Sequence, residues 1–247
     1  MLKDGALEGV RADAAFVIHV MNRWPVGTVA ICDGAAMTSA DKLTLTITGR
    51  GGHGASPHLA IDPIVASAQI ITALQTLVSR ETPPLSTAVL SLTTLKAGTA
   101  FNIIPDAVEM TGTLRCFDAA LREKLLASLR RTVEGLAASL RCTARVESQF
   151  LTPALRNDPA VTAVARQVAA MIVGESRVVA AEPLTGSDDV AYFFQKVPGC
   201  YAFVGSAKPE WSPAPASHNA KFDIDESALE IGAEFLVQAT RRVLQRG

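Results

Sequence analysis

Three histidines lie in short segments from which they could bind a metal ion or contact a bound molecule. His19 lies near the end of the apolar segment FVIHV, and His218 lies in a loop that precedes a helical pattern. Strand ends and loops often supply metal ligands, each through one nitrogen of a neutral imidazole. His53 lies in the segment GRGGHGASP, where the flanking glycines allow the backbone to carry an imidazole close to a bound molecule. A lone histidine is more often a core or hydrogen-bonded residue, so the residue types alone leave both roles open.

Asn102 and Arg115 could recognise an acidic substrate. Asn102 lies in the turn-like segment GTAFNIIPD, and Arg115 ends the following strand pattern in GTLR. An arginine offers a carboxylate a bidentate fork of N–H donors, and an asparagine adds another donor. The alternatives are a turn residue for Asn102 and a surface charge for Arg115.

Two adjacent acids, Asp188 and Asp189, follow the glycine of the segment TGSDDVAYF. Carboxylates next to a metal site often orient its ligands without binding the ion themselves. Acids at the start of a helix are also favoured by the helix dipole alone. The sequence leaves these two interpretations open.

The glycines around His53 also match a nucleotide-binding pattern. Gly49, Gly51 and Gly54 fit G-x-G-x-x-G after a predicted strand. A dinucleotide fold needs a helix directly after these glycines and an acid about 20 residues further on. Here a Ser-Pro loop follows, and residues 69–75 contain no Asp or Glu. We therefore reject dinucleotide binding, and the sequence also lacks the nucleophile elbow of serine hydrolases.

In their order along the chain, the segments FVIHVMNRWPVG, GRGGHGASP, GTAFNIIPD with GTLR, and SHNAKFDIDESAL together resemble the M20 metallopeptidase family, most closely its amidohydrolase branch of hippurate and indole-acetyl-amino-acid hydrolases. The resemblance implies hydrolysis of the amide bond of N-acyl amino acids or small peptides at a centre of two divalent ions, for which Zn, Mn and Co are candidates. It implies that His19 and His218 are metal ligands. It also implies that His53 reaches into the neighbouring subunit's site and stabilises an oxyanion. Asn102 and Arg115 would bind the carboxylate end of the substrate.

The resemblance further implies that the chain begins inside the family's catalytic domain, because MLKDGALEG matches an internal segment of it. In the family, a Cys, a His and a Glu ligand and the general-base Glu all lie upstream of that segment. Asp188 takes the place of a Glu in the family's Gly-Ser-Glu-Asp-Phe segment. Asp188 and Asp189 would then orient the metal-binding side chains without binding the metal themselves. We therefore expect a truncated hydrolase. Two alternatives are a non-catalytic dimeric module that binds acyl amino acids and a metal-independent esterase activity at the residual site.

The elements that must position these residues follow from hydrophobic periodicity. Residues 39–150 predict the order strand, helix, strand, strand, helix, strand, which is the ferredoxin-like βαββαβ arrangement. Residues 1–38 and 151–247 indicate α/β structure. The expected fold class is therefore α/β, with a partial zinc-peptidase-like catalytic domain that carries an inserted ferredoxin-like lid and dimerisation domain. The patterns predict strands over 14–20 and 27–33, and helices over 61–80, 118–140, 157–173 (with Asn157 as N-cap), 187–197 and 225–245.

Composition narrows the possible partners. The chain has 247 residues, of which 49% are hydrophobic and 19% charged, and its formal net charge is −1. This balance gives no electrostatic reason to expect nucleic acid or an anionic membrane as a partner. The N-terminal residues lack the pattern of a signal peptide, and the four cysteines form no CxxC pair, so we expect buried reduced thiols and a cytoplasmic protein. The family resemblance implies a homodimer formed through the lid.

Overall fold

The computed structural model describes residues 1–245, which form twelve strands and five α-helices. The strands are β1 (Ala15–Pro25), β2 (Val29–Ile31), β3 (Ala35–Met37), β4 (Ala40–Thr48), β5 (Gly52–His53), β6 (Ala88–Ala97), β7 (Ile103–Ile104), β8 (Ala107–Cys116), β9 (Thr143–Thr152), β10 (Leu155–Arg156), β11 (Val178–Ala180) and β12 (Gly199–Ala207). The α-helices are α1 (Pro63–Thr76), α2 (Ala119–Ser139), α3 (Pro159–Val173), α4 (Ala191–Phe194) and α5 (Ser227–Leu244). Among these residues no helix combines the length and apolar character needed to cross a membrane.

By its internal contacts the chain divides into two compact units. The first unit consists of Met1–Met37, Leu155–Leu184 and the residues from Asp188 onward. The second unit consists of Thr38–Ala154 together with Thr185–Ser187. His19 and His218 therefore belong to the first unit, whereas His53, Asn102 and Arg115 belong to the second.

The first unit is built on a four-stranded sheet in the order β1-β12-β2-β11. Strand β12 runs parallel to β1 and antiparallel to β2, and all nine of its residues are buried. Because successive side chains of a strand point to opposite faces, Cys200 and Ala202 face the helices α3 and α5. Tyr201 and Phe203 lie on the other face, in a cluster with Trp24. Strand β1, at the edge of the sheet, carries His19.

The second unit contains a four-stranded antiparallel sheet in the order β6-β8-β4-β9. Along the chain its main elements follow one another as β4, α1, β6, β8, α2 and β9. In β4 the leucine and isoleucine side chains are buried, and the alternating threonines are more exposed. The buried face packs against α1 and α2, in a core that includes Leu43, Leu45, Ile70, Met110 and Leu129. A separate two-stranded ribbon, β5 with β7, carries His53.

The helix that the sequence predicts over 61–80 is confirmed, with a sharper start. Asp62 caps α1 by accepting hydrogen bonds from the backbone N–H groups of Ile64 and Val65, and Pro63 occupies the first turn, where a missing N–H costs nothing. After Thr76 the chain continues as a single wide turn over Leu77–Glu81.

The prediction that Asn157 caps α3 is wrong. Asp158 is the capping residue, since its Oδ1 accepts hydrogen bonds from the N–H groups of Ala160 at 2.9 Å and Val161 at 3.0 Å. Asn157 is buried one residue earlier, and its amide bonds to backbone groups of Cys32 and Tyr201. Asparagine and aspartate are both good caps, so local pattern could not separate two neighbours of which one is needed in the core.

The helix predicted over 187–197 is also largely wrong, because only Ala191–Phe194 are α-helical. Asp188 Oδ1 accepts a hydrogen bond from the N–H of Val190 at 2.9 Å. Such a local side-chain bond offers the backbone an alternative to the helix and favours a turn. Pro198 then ends any helical continuation.

A buried ion pair joins β4 to α2 within the second unit. Asp41 is fully buried, and Arg122 contacts both of its oxygens, with Nε 2.6 Å from Oδ2 and Nη2 2.5 Å from Oδ1. Phe150 of β9 lies against the guanidinium, with its ring centroid 4.2 Å from Cζ. A bidentate pair of this kind is strong, but it leaves an uncompensated buried charge if one partner is removed.

We predict that Arg122→Met lowers the free energy of unfolding by about 3–5 kcal/mol, because Asp41 then stays buried without its counter-charge. The double variant Asp41→Asn, Arg122→Met should recover most of that loss. The matched control is Arg145→Met, which breaks an exposed pair with Glu147 and should cost less than about 1 kcal/mol. Urea denaturation measures all four proteins, and equal losses for Arg122→Met and Arg145→Met would contradict the assignment.

All four cysteines are buried and free of disulfides, as the sequence predicts. Burial raises the pKa of the Cys116 thiol and of the Cys200 thiol from the ordinary value of 9.0 to about 11. The folded chain therefore holds these two protons more tightly than the unfolded chain does. The resulting stabilisation is complete below about pH 9 and is lost as the pH rises through about 11.

We predict that stability falls between about pH 9 and pH 11 more steeply in the natural chain than in the variant Cys116→Ala, Cys200→Ala. Two pKa units correspond to about 2.7 kcal/mol per thiol at most. Thermal unfolding followed at several pH values gives the two slopes, and the offset at neutral pH accounts for the cavities that the alanines create. Parallel slopes would show that these thiols do not ionise on unfolding as described.

Candidate active site

His19 is held with one particular nitrogen free. Its Nδ1 lies 2.6 Å from the carbonyl oxygen of Val20. A carbonyl oxygen can only accept, so the neutral ring carries its proton on Nδ1 and keeps the lone pair on Nε2. Metal-ligating histidines commonly donate their other ring N–H to a backbone carbonyl in this way. The local geometry therefore suits His19 to bind a cation through Nε2.

His53 has the opposite arrangement. The backbone N–H of Ala55 donates to His53 Nδ1 at 3.1 Å. A backbone N–H can only donate, so the neutral ring carries its proton on Nε2. The side chain is exposed, and its Nε2–H is therefore a donor that a substrate oxygen could accept.

The ribbon of β5 and β7 brings His53 and Asn102 into one structural element. His53 pairs with Ile103, and the N–H of Gly54 donates to the carbonyl oxygen of Asn102 at 2.8 Å. The approach at Gly54 is close, because a Cβ there would lie 3.1 Å from that carbonyl oxygen and could be accommodated only by a small shift. The two residues that the sequence singled out separately therefore lie side by side.

Asp106 anchors the same ribbon and was not found from the sequence. Its Oδ1 accepts a hydrogen bond from the N–H of Gly51 at 2.8 Å, and its carbonyl oxygen accepts one from the N–H of Gly49 at 2.8 Å. A Cβ on Gly51 would lie 2.7 Å from the carbonyl oxygen of Ile104. The aspartate in NIIPD was the available signal, but its partner lies 55 residues away along the chain.

Arg115, at the end of β8, contacts a short segment of the second unit. Its Nη1 donates to the carbonyl oxygen of Thr185 at 3.3 Å and to Ser187 Oγ at 3.2 Å. Thr38 holds the same segment, with its Oγ1 3.0 Å from the carbonyl oxygens of Thr185 and Gly186. Arg115 donates both of these hydrogen bonds, to Thr185 and to Ser187, from the same nitrogen, Nη1. Asn102 is exposed on its turn.

Asp188 and Asp189 are adjacent in the sequence but have different surroundings in the structure. Asp188 accepts a hydrogen bond at each oxygen, from the N–H of Val190 to Oδ1 at 2.9 Å and from the hydroxyl of Tyr201 to Oδ2 at 3.0 Å. Asp189 is exposed. Tyr201 is 1% exposed, and burial together with the nearby Asp188 carboxylate raises the pKa of the phenol well above its ordinary value. The hydroxyl therefore remains a donor, and Tyr201 is a second site residue that the sequence did not reveal.

His218 lies in the exposed loop between β12 and α5, at a turn where its φ is 68°. The loop is anchored by Asn22 of β1, whose Nδ2 donates to the carbonyl oxygens of Pro215 and Asp223 at 2.8 Å each. Ser206 Oγ donates to Asn22 Oδ1 at 2.7 Å. Asn22 follows His19 by three residues, so one strand positions the first histidine and restrains the loop of the second.

The donor set bears directly on the metal centre that the sequence resemblance implies. His19 fits the role of a ligand through Nε2. Within residues 1–245, however, no group of three or more His, Cys, Asp or Glu side chains is placed to hold a metal ion. The described residues therefore do not fit a complete dinuclear centre, and we assign no reaction step to a bound ion.

Residues 1–242 match the family model described as peptidase family M20/M25/M40. The chain belongs to the M20 peptidase family. Two similar proteins are the thermostable carboxypeptidase 2 of Saccharolobus solfataricus, which is 36% identical over 234 residues, and the N-acetylcysteine deacetylase of Bacillus subtilis, which is 35% identical over 246 residues. The crystal structure of the Bacillus subtilis YXEP protein, described as a dinuclear metal binding peptidase of the M20 family, is similar with a TM-score of 0.77 and 32% identity.

These M20 relatives are longer than the region they share with this chain. The alignments cover 94% and 99% of this chain but only 58% and 62% of the carboxypeptidase and the deacetylase, respectively. The match to the YXEP protein covers 99% of this chain and 60% of that one. The shared region gives a mixed α/β fold of the M20 type.

We predict that His19 and His53 occupy opposite neutral tautomers. Long-range ¹H–¹⁵N spectra, recorded at a pH where both rings are neutral, should show the proton on Nδ1 in His19 and on Nε2 in His53. The variant Ala55→Pro removes the N–H that donates to His53 and should shift that ring towards a mixture of tautomers, with His19 as the internal control. Finding both rings in the same tautomer would contradict these hydrogen bonds.

Proposed function

We propose that the chain is part of a metal-dependent hydrolase that cleaves the amide bond of N-acyl amino acids or small peptides. The observation that carries the proposal is the pair of opposite tautomers. His19 offers a lone pair suited to a cation, and His53 offers an N–H suited to a negatively charged oxygen. A metal-dependent amide hydrolase uses both kinds of group, because a bound cation would lower the pKa of the attacking water and an N–H donor would stabilise the oxyanion.

In this proposal Arg115 and Asn102 hold the carboxylate of the substrate. A guanidinium and an amide together supply several N–H donors to the two carboxylate oxygens. His53, on the same ribbon as Asn102, then donates from Nε2 to the carbonyl oxygen of the scissile amide. As charge develops on that oxygen the hydrogen bond strengthens, which favours the transition state over the bound substrate.

His19 and His218 are the proposed metal ligands, with Zn, Mn or Co as candidate ions. Asp188 and Asp189 would orient groups of the site without binding the ion. The proposal requires further ligands and a general base in addition to the described residues. That requirement is consistent with the longer YXEP protein, a dinuclear metal binding peptidase of which the match covers 60%.

We also propose a homodimer formed by the second unit. The support is the edge strand β6, whose residues Thr93–Lys96 are exposed and include Leu95 at 50% exposure. An exposed edge strand can pair with its copy in a second chain. In such a dimer His53 of one chain could serve the site of the other.

A second candidate function is binding of acyl amino acids without turnover. Arg115 and Asn102 supply carboxylate-binding donors whether or not a metal centre is complete. Ligand binding in the absence of hydrolysis distinguishes this candidate from the first.

The test measures hydrolysis and binding on the same purified chain. A panel of N-acyl amino acids and simple esters is assayed with added Zn, Mn or Co, with a chelator control and measured metal content. Because the described residues lack a complete metal centre, we predict at most weak turnover by this chain alone; any chelator-sensitive amide hydrolysis should fall about 10²- to 10³-fold in kcat in His53→Ala, with little change in KM. Arg115→Ala should instead raise KM, or weaken binding measured by calorimetry, by roughly tenfold or more.

The matched control is His58→Ala, because His58 is another exposed histidine five residues beyond His53. Its activity should equal that of the natural chain. Binding that depends on Arg115 but occurs without turnover would favour the second candidate. Neither binding nor turnover, or turnover that survives both the chelator and His53→Ala, would contradict the proposed function.

A further inference from the structure

The buried strand β12 contains a hydroxyl that packing alone does not require. Tyr201 and Phe203 lie on the same face and are both almost completely buried, at 1% and 0% exposure. Phe203 fills its place without a polar atom. Burying a hydroxyl costs free energy unless it finds a hydrogen-bond partner, so its presence in Tyr201 calls for a specific contact.

That contact is the carboxylate of Asp188. The Tyr201 hydroxyl donates to Oδ2 at 3.0 Å, and the N–H of Val190 donates to Oδ1 at 2.9 Å. Each carboxylate oxygen is therefore held by one donor. Two bonds from different directions fix the side chain in a single orientation, which one bond alone would not do.

The ring of Tyr201 also lies near His19. Its centroid lies 6.4 Å from that of His19, with an angle of 28° between the planes. Phe203 approaches the same imidazole edge-on, at 6.4 Å and 61°. The hydrogen bond between Nδ1 and the Val20 carbonyl oxygen orients the imidazole, and the two aromatic rings lie beside it.

We propose that Tyr201 is a positioning residue that holds Asp188 through its hydroxyl and His19 through its ring. One side chain thereby keeps a carboxylate and an imidazole in a constant arrangement. Side chains that act together depend on such supporting contacts, because small displacements of one group weaken its interactions. The role assigned to Tyr201 rests on the proposed function of His19 and Asp188, whereas its geometry can be tested without any turnover.

The test compares Tyr201→Phe with Tyr201→Leu in the ¹⁵N-labelled full chain. Tyr201→Phe keeps the ring and removes the hydroxyl. Amide hydrogen exchange at Val190 should accelerate about tenfold, because the carboxylate that accepts its hydrogen bond is no longer held. The tautomer and ring chemical shifts of His19 should stay as in the natural chain. Tyr201→Leu should change both readouts.

The control is Phe203→Leu, which alters the second ring against the imidazole and makes no hydrogen bond to Asp188. Exchange at Val190 should remain at its natural rate in this variant. The proposal is overturned if Tyr201→Phe leaves Val190 unchanged, or if every amide of β12 accelerates by the same factor as Val190. If Tyr201→Leu fails to fold, the comparison of Tyr201→Phe with Phe203→Leu still decides the hydroxyl's role.

These readouts report on two side chains rather than on catalysis. A chain that neither binds nor hydrolyses acyl amino acids would contradict the proposed function and leave the exchange result intact. Conversely, a normal Val190 rate in an active Tyr201→Phe variant would reject the positioning role alone.

Discussion

The first unit depends on the complete burial of β12. A strand without an exposed residue must satisfy its backbone groups at both edges, since an unpaired buried N–H or C=O is costly. Strand β1 covers one edge along nearly its whole length. Strand β2 is only three residues long and pairs as far as Ala202 with Ile31. Beyond that point the side chain of Asn157 takes over, donating to the carbonyl oxygen of Tyr201 at 3.0 Å and accepting from its N–H at 2.8 Å.

This arrangement explains where the candidate residues of the first unit come from. Parallel pairing with β12 places His19 opposite Phe203 and on the aromatic face of the sheet. Asn157 fixes the backbone of Tyr201, and Tyr201 in turn contacts Asp188. The second unit solves the equivalent problem differently, because its candidate residues lie on a short ribbon fastened by Asp106 and by close glycine contacts.

Much of the fold could be predicted because its strands and helices follow from patterns of residues that are close together in the sequence. The alternation of LTLTIT gives a half-covered strand, and Asp62-Pro63 gives a helix start, since both signals act within a few residues. The tautomers of His19 and His53 depend on backbone groups one or two residues away, but on a geometry that sequence does not encode. A periodic pattern identifies the face on which a side chain lies and leaves its partner undetermined.

The two errors have different physical origins. Asn157 was misassigned because its partners lie 44 and 125 residues away along the chain, and a local cap was the nearest available explanation. The contact between Tyr201 and Asp188 joins a strand to a turn 13 residues earlier, where the sequence indicated a helix. At Asn157 long-range bonds overrode a local preference, whereas at Asp188 the local bond to the N–H of Val190 favours a turn that also receives the Tyr201 hydroxyl.

The long segment between β3 and β10 begins and ends at neighbouring positions, and this has an evolutionary consequence. Met37 and Leu155 are direct partners in an antiparallel pair, so the chain leaves the first unit and returns to it at neighbouring positions. A tight turn between these two residues could replace everything between them without breaking that pair. A single recombination event could therefore add, delete or exchange the whole segment, and related proteins could differ by a complete module at this one junction.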